Sequence, residues 1–259
     1  MEDRLFTEER RAEIAAMLES RSSISVQELS SLFRVSGTTI RQDLSFLESE
    51  GILKRTHGGA VPLRDSRPGV IEHRISERAH LEEKKRIAAA ALSLIHSGET
   101  LLFDSGTTMN ALEELLVRSP VTDLTIYSND LLGMELLEQK EGCRLCMLGG
   151  MIRAGFHYTY GPQVLTELRR YHFPKLILAT SAIDGQRLST ANSDIASVKR
   201  AMMDASDQII LLTDSSKFGT IDFETFGELR EADVLITDSG IREEDLQALR
   251  KEKLQVIIA

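Results

Sequence analysis

Five short polar clusters interrupt the apolar pattern of the second half of this 259-residue chain. Asp104-Ser105-Gly106-Thr107-Thr108 follows Phe103, and Ser128-Asn129-Asp130 follows Tyr127. Gly149-Gly150 follows Leu148, Thr180-Ser181 follows Ala179, and Thr213-Asp214-Ser215-Ser216-Lys217 follows Leu212. Hydroxyls, glycines and free amides between a strand and a helix start are suited to phosphate, because the helix offers unpaired N–H groups and the positive end of its dipole. Asp104 to Thr108 fits that description, and Lys217 and Arg153 can add positive charge. Any one cluster is explained as a turn or a helix cap; five on one edge of a sheet point to a pocket. Cys143 and Cys146 form a lone C-x-x-C on an expected strand, where an odd spacing sends two side chains to opposite faces. No further Cys or His pair completes a zinc site. Both cysteines are therefore expected in the core, and neither a metal nor another cofactor is expected.

A second set of residues suits a different chemistry. Between Ser25 and Arg55 the chain reads as two short helices, a tight turn Arg34-Val35-Ser36, and a hairpin. Ser25-Val26-Gln27-Glu28 has the form of a capping box, and the helix it opens is expected to bury Leu29, Leu32 and Phe33. Ser36 is expected to cap the second helix, in which Ile40, Leu44 and Leu47 face inward. Thr38, Thr39, Arg41, Gln42 and Ser45 are left on the outer face. Ile52–Thr56 and Ala60–Leu63 are expected strands joined by His57-Gly58-Gly59, which places Lys54, Arg55 and His57 beside a bound backbone. Two short helices with a polar outer face and a hairpin behind them make a winged helix-turn-helix, a reader of double-stranded DNA.

These sites need elements to carry them. A helix from Thr7 to Ser20, capped by Thr7, precedes the DNA-reading device, so residues 1–63 form a small DNA-binding domain. Residues 64–81 turn polar and unpatterned and are expected to be a linker. From residue 82 to 259, strands at Thr100–Phe103, Leu124–Tyr127, Arg144–Leu148, Leu176–Ala179, Gln208–Leu212, Val234–Ile236 and Gln255–Ile258 alternate with helices. Those helices are expected at Glu82–Ile95, Thr108–Val117, Leu131–Gln139, Pro162–Tyr171, Ala196–Ala205 and Glu243–Lys251. Continuous apolar strands alternating with helices imply an α/β domain with a mostly parallel sheet, and ligands of such sheets bind at the strands' carboxyl ends. The composition, 42% hydrophobic and 27% charged, is that of a globular protein. No apolar run approaches the roughly 20 residues that span a bilayer, and no signal peptide is apparent, so a cytoplasmic location is expected. The net charge is −9. Arg34 to Arg64 nevertheless holds five basic residues against three acidic ones. Phosphate contact depends on a local face rather than on the sum. Such a balance implies weak non-specific binding and attachment as a homo-oligomer, a dimer or tetramer.

Val35-Ser36-Gly37-Thr38-Thr39-Ile40-Arg41-Gln42-Asp43-Leu44, then Leu47-Glu48 and Arg55-Thr56-His57-Gly58-Gly59-Ala60, resemble the N-terminal domain of the DeoR family of bacterial repressors. The second half resembles that family's sensor domain. The matching pieces are Asp104 to Thr108, Ser128-Asn129, Leu148-Gly149-Gly150 with Arg153, Gly161-Pro162, Val198-Lys199-Arg200-Ala201-Met202 and Asp214-Ser215-Ser216-Lys217-Phe218-Gly219. The resemblance implies a sensor fold similar to ribose-5-phosphate isomerase, a phosphorylated sugar or polyol as effector, and repression of a sugar or polyol catabolic operon. It also brings Lys199 into the expected effector site, to which the Thr180-Ser181 cluster contributes Ser181. Ser181-Ala182-Ile183-Asp184 and Asp194-Ile195 depart from the family pattern. The rival reading is an isomerase-like enzyme with an appended DNA-binding domain, with Asp104, Asp184 or Asp214 as general base. Each of these is also explained as a turn or cap residue, and no acid/base pair is fixed by spacing. A third reading is a constitutive DNA-binding protein whose large domain only oligomerises.

Overall fold

The computed structural model describes residues 7–19, 21, 23–49, 52–62, 79–153, 155–250 and 252–259. The chain separates into two compact units, the second beginning at His80. The expected linker, except for residues 79–81, and the strand end at Leu63 lie outside the described residues.

The first unit contains α1 (Thr7–Glu19), β1 (Ile24–Ser25), α2 (Val26–Phe33), α3 (Gly37–Ser49), β2 (Leu53–Thr56) and β3 (Gly59–Pro62). Its core is Ile14 and Leu18 of α1, Leu29 and Phe33 of α2, and Ile40, Leu44 and Leu47 of α3, closed by Ile24, Ile52, Leu53 and Ala60. Thr7 opens α1 as its first helical residue. The Ser25 hydroxyl accepts from the Glu28 amide at 3.1 Å, so α2 starts where the sequence implies. The other half of the expected capping box is not made. Ser25 is paired with Gly59 in the small sheet, and Glu28 turns outward to Arg21. Leu32, expected inside, is 53% exposed. In so short a helix, Leu29 and Phe33 at i and i+4 define the inward line, and Leu32 falls on its flank. Arg34 in the left-handed region, with φ 51° and ψ 40°, ends α2.

The three strands order β1-β3-β2, all antiparallel. The hairpin turn is His57-Gly58 alone, because Gly59 already belongs to β3 and pairs with both Thr56 and Ser25. A Cβ on Gly59 would stand 1.9 Å from the Ile24 carbonyl oxygen. Only glycine lets β1 approach so closely.

The second unit is built on a seven-stranded sheet. Its strands are β4 (Thr100–Phe103), β5 (Leu124–Ser128), β6 (Cys143–Met147), β9 (Phe173–Ala179), β12 (Ser206–Leu212), β14 (Val234–Thr237) and β15 (Gln255–Ile258). Their order is β15-β14-β12-β9-β4-β5-β6, and every pairing is parallel. The helices are α4 (Leu81–Leu92), α5 (Thr107–Arg118), α6 (Leu131–Leu137), α7 (Pro162–Leu168), α8 (Ser193–Asp204) and α9 (Glu243–Leu249). The expected strands and helices are all present, with ends shifted by a few residues. At α8, for example, the helix begins at Ser193 because the Asn192 side chain caps it, accepting from the Ile195 amide at 3.2 Å.

Two small antiparallel sheets escaped the pattern. One is the hairpin β7 (Met151–Arg153) and β8 (Tyr158–Tyr160); the other orders β10 (Ala182–Asp184), β11 (Arg187–Thr190) and β13 (Glu224–Glu228). Strands of three to five residues carry too few alternations to register. The two cysteines are also corrected. Both are free and half-buried rather than core, because β6 is the sheet's edge strand.

From β4 the chain adds β5 and then β6 on one side; β9, β12, β14 and β15 are added on the other. Right-handed crossovers to opposite sides put their helices on opposite faces. Accordingly, α4, α5 and α6 supply Ile87, Ala91, Met109, Leu112, Leu116 and Leu137 to a core with Leu101, Phe103, Ile126, Ile177, Ile210 and Ile236. Asp104, the next residue after Phe103, faces the other way and meets Lys199 of α8. The carboxyl ends of β4 and β9 therefore flank the topological switch point, the crevice where open α/β sheets bind ligands.

Candidate functional site

In the first unit, α3 is fixed by a contact that the hydrophobic pattern conceals. Asp43 is 1% exposed and pairs with Arg10 at 2.7 Å and Arg11 at 2.9 Å. Two arginines of α1 thus hold one carboxylate of α3 inside the domain, and Arg11 also lies over the Phe46 ring at 3.9 Å. Asp43 was legible only as a residue of the matching motif.

The outward face of α3 is as expected. Ser36, Thr38, Arg41, Gln42 and Ser45 are exposed, and Thr39 is half-buried. Ser36 and Thr39 are partly spent on the cap: the Thr39 amide donates to the Ser36 hydroxyl at 3.1 Å, and the two hydroxyls lie 2.9 Å apart. Arg41 reaches back over Gly37, where an added Cβ would stand 3.5 Å from its guanidinium. The Arg55 guanidinium donates to the Ser45 hydroxyl at 3.1 Å, and the Arg55 amide donates to the Glu48 carboxylate at 2.8 Å. Arg55 and Ser45 thereby clamp the hairpin onto α3, while Lys54 and His57 stand exposed on it. The result is a polar helix face and a basic hairpin held at fixed angles, the arrangement that enters a DNA groove and touches its phosphates.

In the second unit the polar clusters do fall at the carboxyl edge of the sheet. Asp104 is fully buried. Its Oδ2 takes the Lys199 ammonium and the Ala179 amide, the latter at 3.0 Å. Lys199 also donates to the Ala179 carbonyl at 3.0 Å and lies 5.6 Å from the Phe226 ring centroid. The sequence placed Asp104 and Lys199 in one site without showing that they pair with each other.

After Asp104 and Ser105 the chain turns at Gly106, with φ 135° and ψ 165°, a backbone region essentially closed to other residues. No side chain caps the first turn of α5. The Gly106 amide donates to Asp130 at 3.3 Å. Thr107 is half-buried and Thr108 buried in the turn that follows.

Asp130 belongs to a small acidic centre that sequence reading missed. Its Oδ1 accepts from the Leu132 amide at 2.9 Å and so caps α6. Its Oδ2 accepts from the Asn110 amide at 3.2 Å, and the same amide group donates to Glu113 at 3.0 Å. Glu113 is fully buried, and Gly133 lies against it so closely that a Cβ there would stand 2.2 Å from Oε1. Burial, and then the neighbouring Asp130, push the Glu113 carboxyl up to about 8. Burial likewise raises Asp130, against the backbone and Asn110 donors that favour its charge. The signal available beforehand was the acidic pair Glu113-Glu114 in α5, which on a surface helix reads as solvated.

The remaining expected site residues divide into supports and exposed groups. The Ser128 hydroxyl accepts from the Asp130 amide at 3.0 Å, and Asn129 donates to the Thr159 carbonyl at 3.0 Å. Both shape the loop and tie β8 to β5. Gly150 passes so near β8 that a Cβ would stand 2.6 Å from the Tyr160 carbonyl oxygen. The Gly149 amide is exposed and makes a long contact, 3.4 Å, with Glu167. Arg153 on β7 approaches Asp194 at the start of α8 at 3.5 Å, and Asn192 donates to the Tyr158 hydroxyl at 3.3 Å. These two contacts link the β7–β8 hairpin to α8. Ser181 is exposed beside Thr190, their hydroxyls 3.3 Å apart.

Lys217 stands on a short 3₁₀ turn, Ser215–Lys217, after β12. Phe218 bridges to Ile183 of β10, and the Gly219 amide donates to the Ile183 carbonyl at 2.8 Å, so this turn is joined to the segment that follows β9. The three carboxylates considered as bases are each held by other groups: Asp104 by Lys199, Asp184 by Arg187, and Asp214 by Ser216. Among the described residues no group of His, Cys, Asp and Glu could hold a metal ion, and no helix is long and apolar enough to cross a membrane.

Comparison with known proteins covers both units. Residues 10–65 match the model of the DeoR-like helix-turn-helix domain, and residues 79–239 match that of the DeoR C terminal sensor domain. The chain is 37% identical over 255 residues to a protein of Escherichia coli O157:H7 named for repression of the aga operon, covering 97% of this chain and 94% of that one. It is 32% identical over 234 residues to the HTH-type transcriptional repressor GlcR of Bacillus subtilis, covering 90% and 89%. Among solved structures, ribose 5 phosphate isomerase A from Neisseria gonorrhoeae is 18% identical, with a TM-score of 0.39 over 52% of each chain.

Proposed function

The chain belongs to the DeoR family of DNA-binding transcriptional regulators, and from that membership we propose that it represses a sugar or polyol catabolic operon under the control of a phosphorylated sugar or polyol. One combination carries the reading: an exposed polar α3 on the same chain as an uncapped α5 at the switch point of a parallel sheet. The first is shaped to read an operator. The second points the first turn of α5, at the positive end of the helix dipole, toward a phosphate, with Lys217 as the counter-charge. Binding of an anion there alters repression only if the anion favours one DNA-binding state over the other.

The test uses a DNA fragment selected by the wild-type protein from a random pool, titrated with and without a panel of sugar and polyol phosphates. Arg41→Ala should fold normally and lose specific binding, since a guanine contact contributes about 1–3 kcal/mol of discrimination. Lys217→Ala should bind the fragment normally and need about tenfold or more effector for release, the loss of one charge-assisted hydrogen bond. Unchanged affinity of Arg41→Ala, or a wild-type response in Lys217→Ala, removes the respective residue from its role.

A further inference from the structure

Two buried acceptor atoms at the carboxyl ends of β4 and β5 have no donor among the described residues. Asp104 Oδ1 and Asn129 Oδ1 are enclosed and unpartnered, and both residues are 0% exposed. Their orientations are not interchangeable with the opposite ones. Asp104 Oδ2 is held by Lys199 and the Ala179 amide. Asn129 must keep its amide nitrogen toward the Thr159 carbonyl, which can only accept.

The two residues are also neighbours by register. Phe103 of β4 pairs with Ser128 of β5, so Asp104 and Asn129 are the next residues on adjacent parallel strands and share a sheet face. That face is the one on which Lys199 of α8 sits, opposite to the α5 core. Adjacent strands lie about 4.8 Å apart.

We propose that this acceptor pair is the subsite that reads hydroxyl groups of the effector, with Asp104 Oδ1 and Asn129 Oδ1 each accepting from one hydroxyl of a polyol chain. The subsite rests on the effector reading above and refines it. A fully ionised phosphate brings no donor, so occupation of the α5 turn leaves both acceptors unmatched, whereas buried acceptors are ordinarily paired. Hydroxyls fit better than an amine. Lys199 already neutralises Asp104 and would repel a second cation. The phosphate end and the hydroxyl end are thus read by different residues on the two sides of one strand end.

The test is calorimetric titration of the full chain with matched probes. These are ribose 5-phosphate against 2-deoxyribose 5-phosphate, glycerol 3-phosphate against propyl phosphate, inorganic phosphate, and unphosphorylated ribose and glycerol. In at least one pair the hydroxylated ester should bind about tenfold to hundredfold more tightly than its deoxygenated partner, the usual effect of leaving a site's buried polar groups unmatched. Asp104→Asn should erase that preference. Its amide oxygen must take the Oδ2 position, which places a donor where Oδ1 was. Equal binding within both pairs overturns the proposal and leaves the phosphate reading intact. Tight binding of ribose or glycerol without phosphate overturns the phosphate reading instead. No binding by any probe overturns both. The wild-type comparison stands even if Asp104→Asn fails to fold.

Discussion

Glu113→Gln should stabilise this protein, and increasingly so as pH rises. Glu113 lies fully buried between α5 and α6, facing Gly133, Asn110 and the carboxylate of Asp130. Burial and the Asp130 charge lift its carboxyl from 4.5 to about 8. A raised carboxyl means that the folded chain keeps a proton which the unfolded chain releases between those two values. Stability is then greatest below about pH 4.5 and is lost as pH rises toward 8, above which the loss is complete. At about 1.36 kcal/mol for each pH unit, the rise from 4.5 to about 8 amounts to about 5 kcal/mol at most. Glutamine is neutral at every pH, keeps an oxygen for the Asn110 amide, and has nearly the same shape. Its advantage over glutamate should be near zero at pH 4.5, about 3 kcal/mol at pH 7, and largest from pH 8 upward. Asp130 is present in both proteins, so its own raised carboxyl cancels to first order. Denaturant unfolding of both proteins at pH 5, 7 and 9 measures the difference. A difference that stays flat across that range, or a variant less stable at pH 9, would refute the reasoning.

Three further outcomes test other parts of the structure. Lys199→Met leaves the Asp104 carboxylate buried without its cation and should cost about 3–5 kcal/mol in denaturant unfolding; an unchanged midpoint means that the Asp104–Lys199 pair does not hold the fold. Gly59→Ala pushes a methyl into the Ile24 carbonyl, so the β1–β3 pairing should open. Specific DNA binding should then be lost, along with about 3 kcal/mol or more of the first unit's stability; retained binding shows that β1 can move aside. The full chain should be at least a dimer through its second unit, because a single weakly basic reader gains affinity mainly by avidity. A monomer by light scattering at micromolar concentration, with full operator affinity, overturns that expectation.

The sequence by itself determined the helices and strands of the DNA-reading unit and of the large parallel sheet. Ser25 and Ser36 mark the starts of α2 and α3 because an N-cap hydroxyl satisfies an amide only three residues away, an interaction local enough to be read from spacing. Ile40, Leu44 and Leu47 announce the inward face of α3 in the same way. The apolar runs ending at Phe103, Tyr127 and Leu212 located the parallel strands, and the clusters after them fall at the carboxyl edge of the sheet. What only tertiary structure decided is how distant side chains are matched. Asp43 meets Arg10 and Arg11 across 33 and 32 residues, and Asp104 meets Lys199 across 95. Glu113 becomes a buried, protonated acid only because Gly133 and Asp130 arrive from the next loop and helix. Leu32 is exposed because α2 is too short to present a second inward line. Periodicity describes which face a residue takes, but charge pairing, burial of an ionisable group and an acceptor left without a donor depend on what another segment brings to that face.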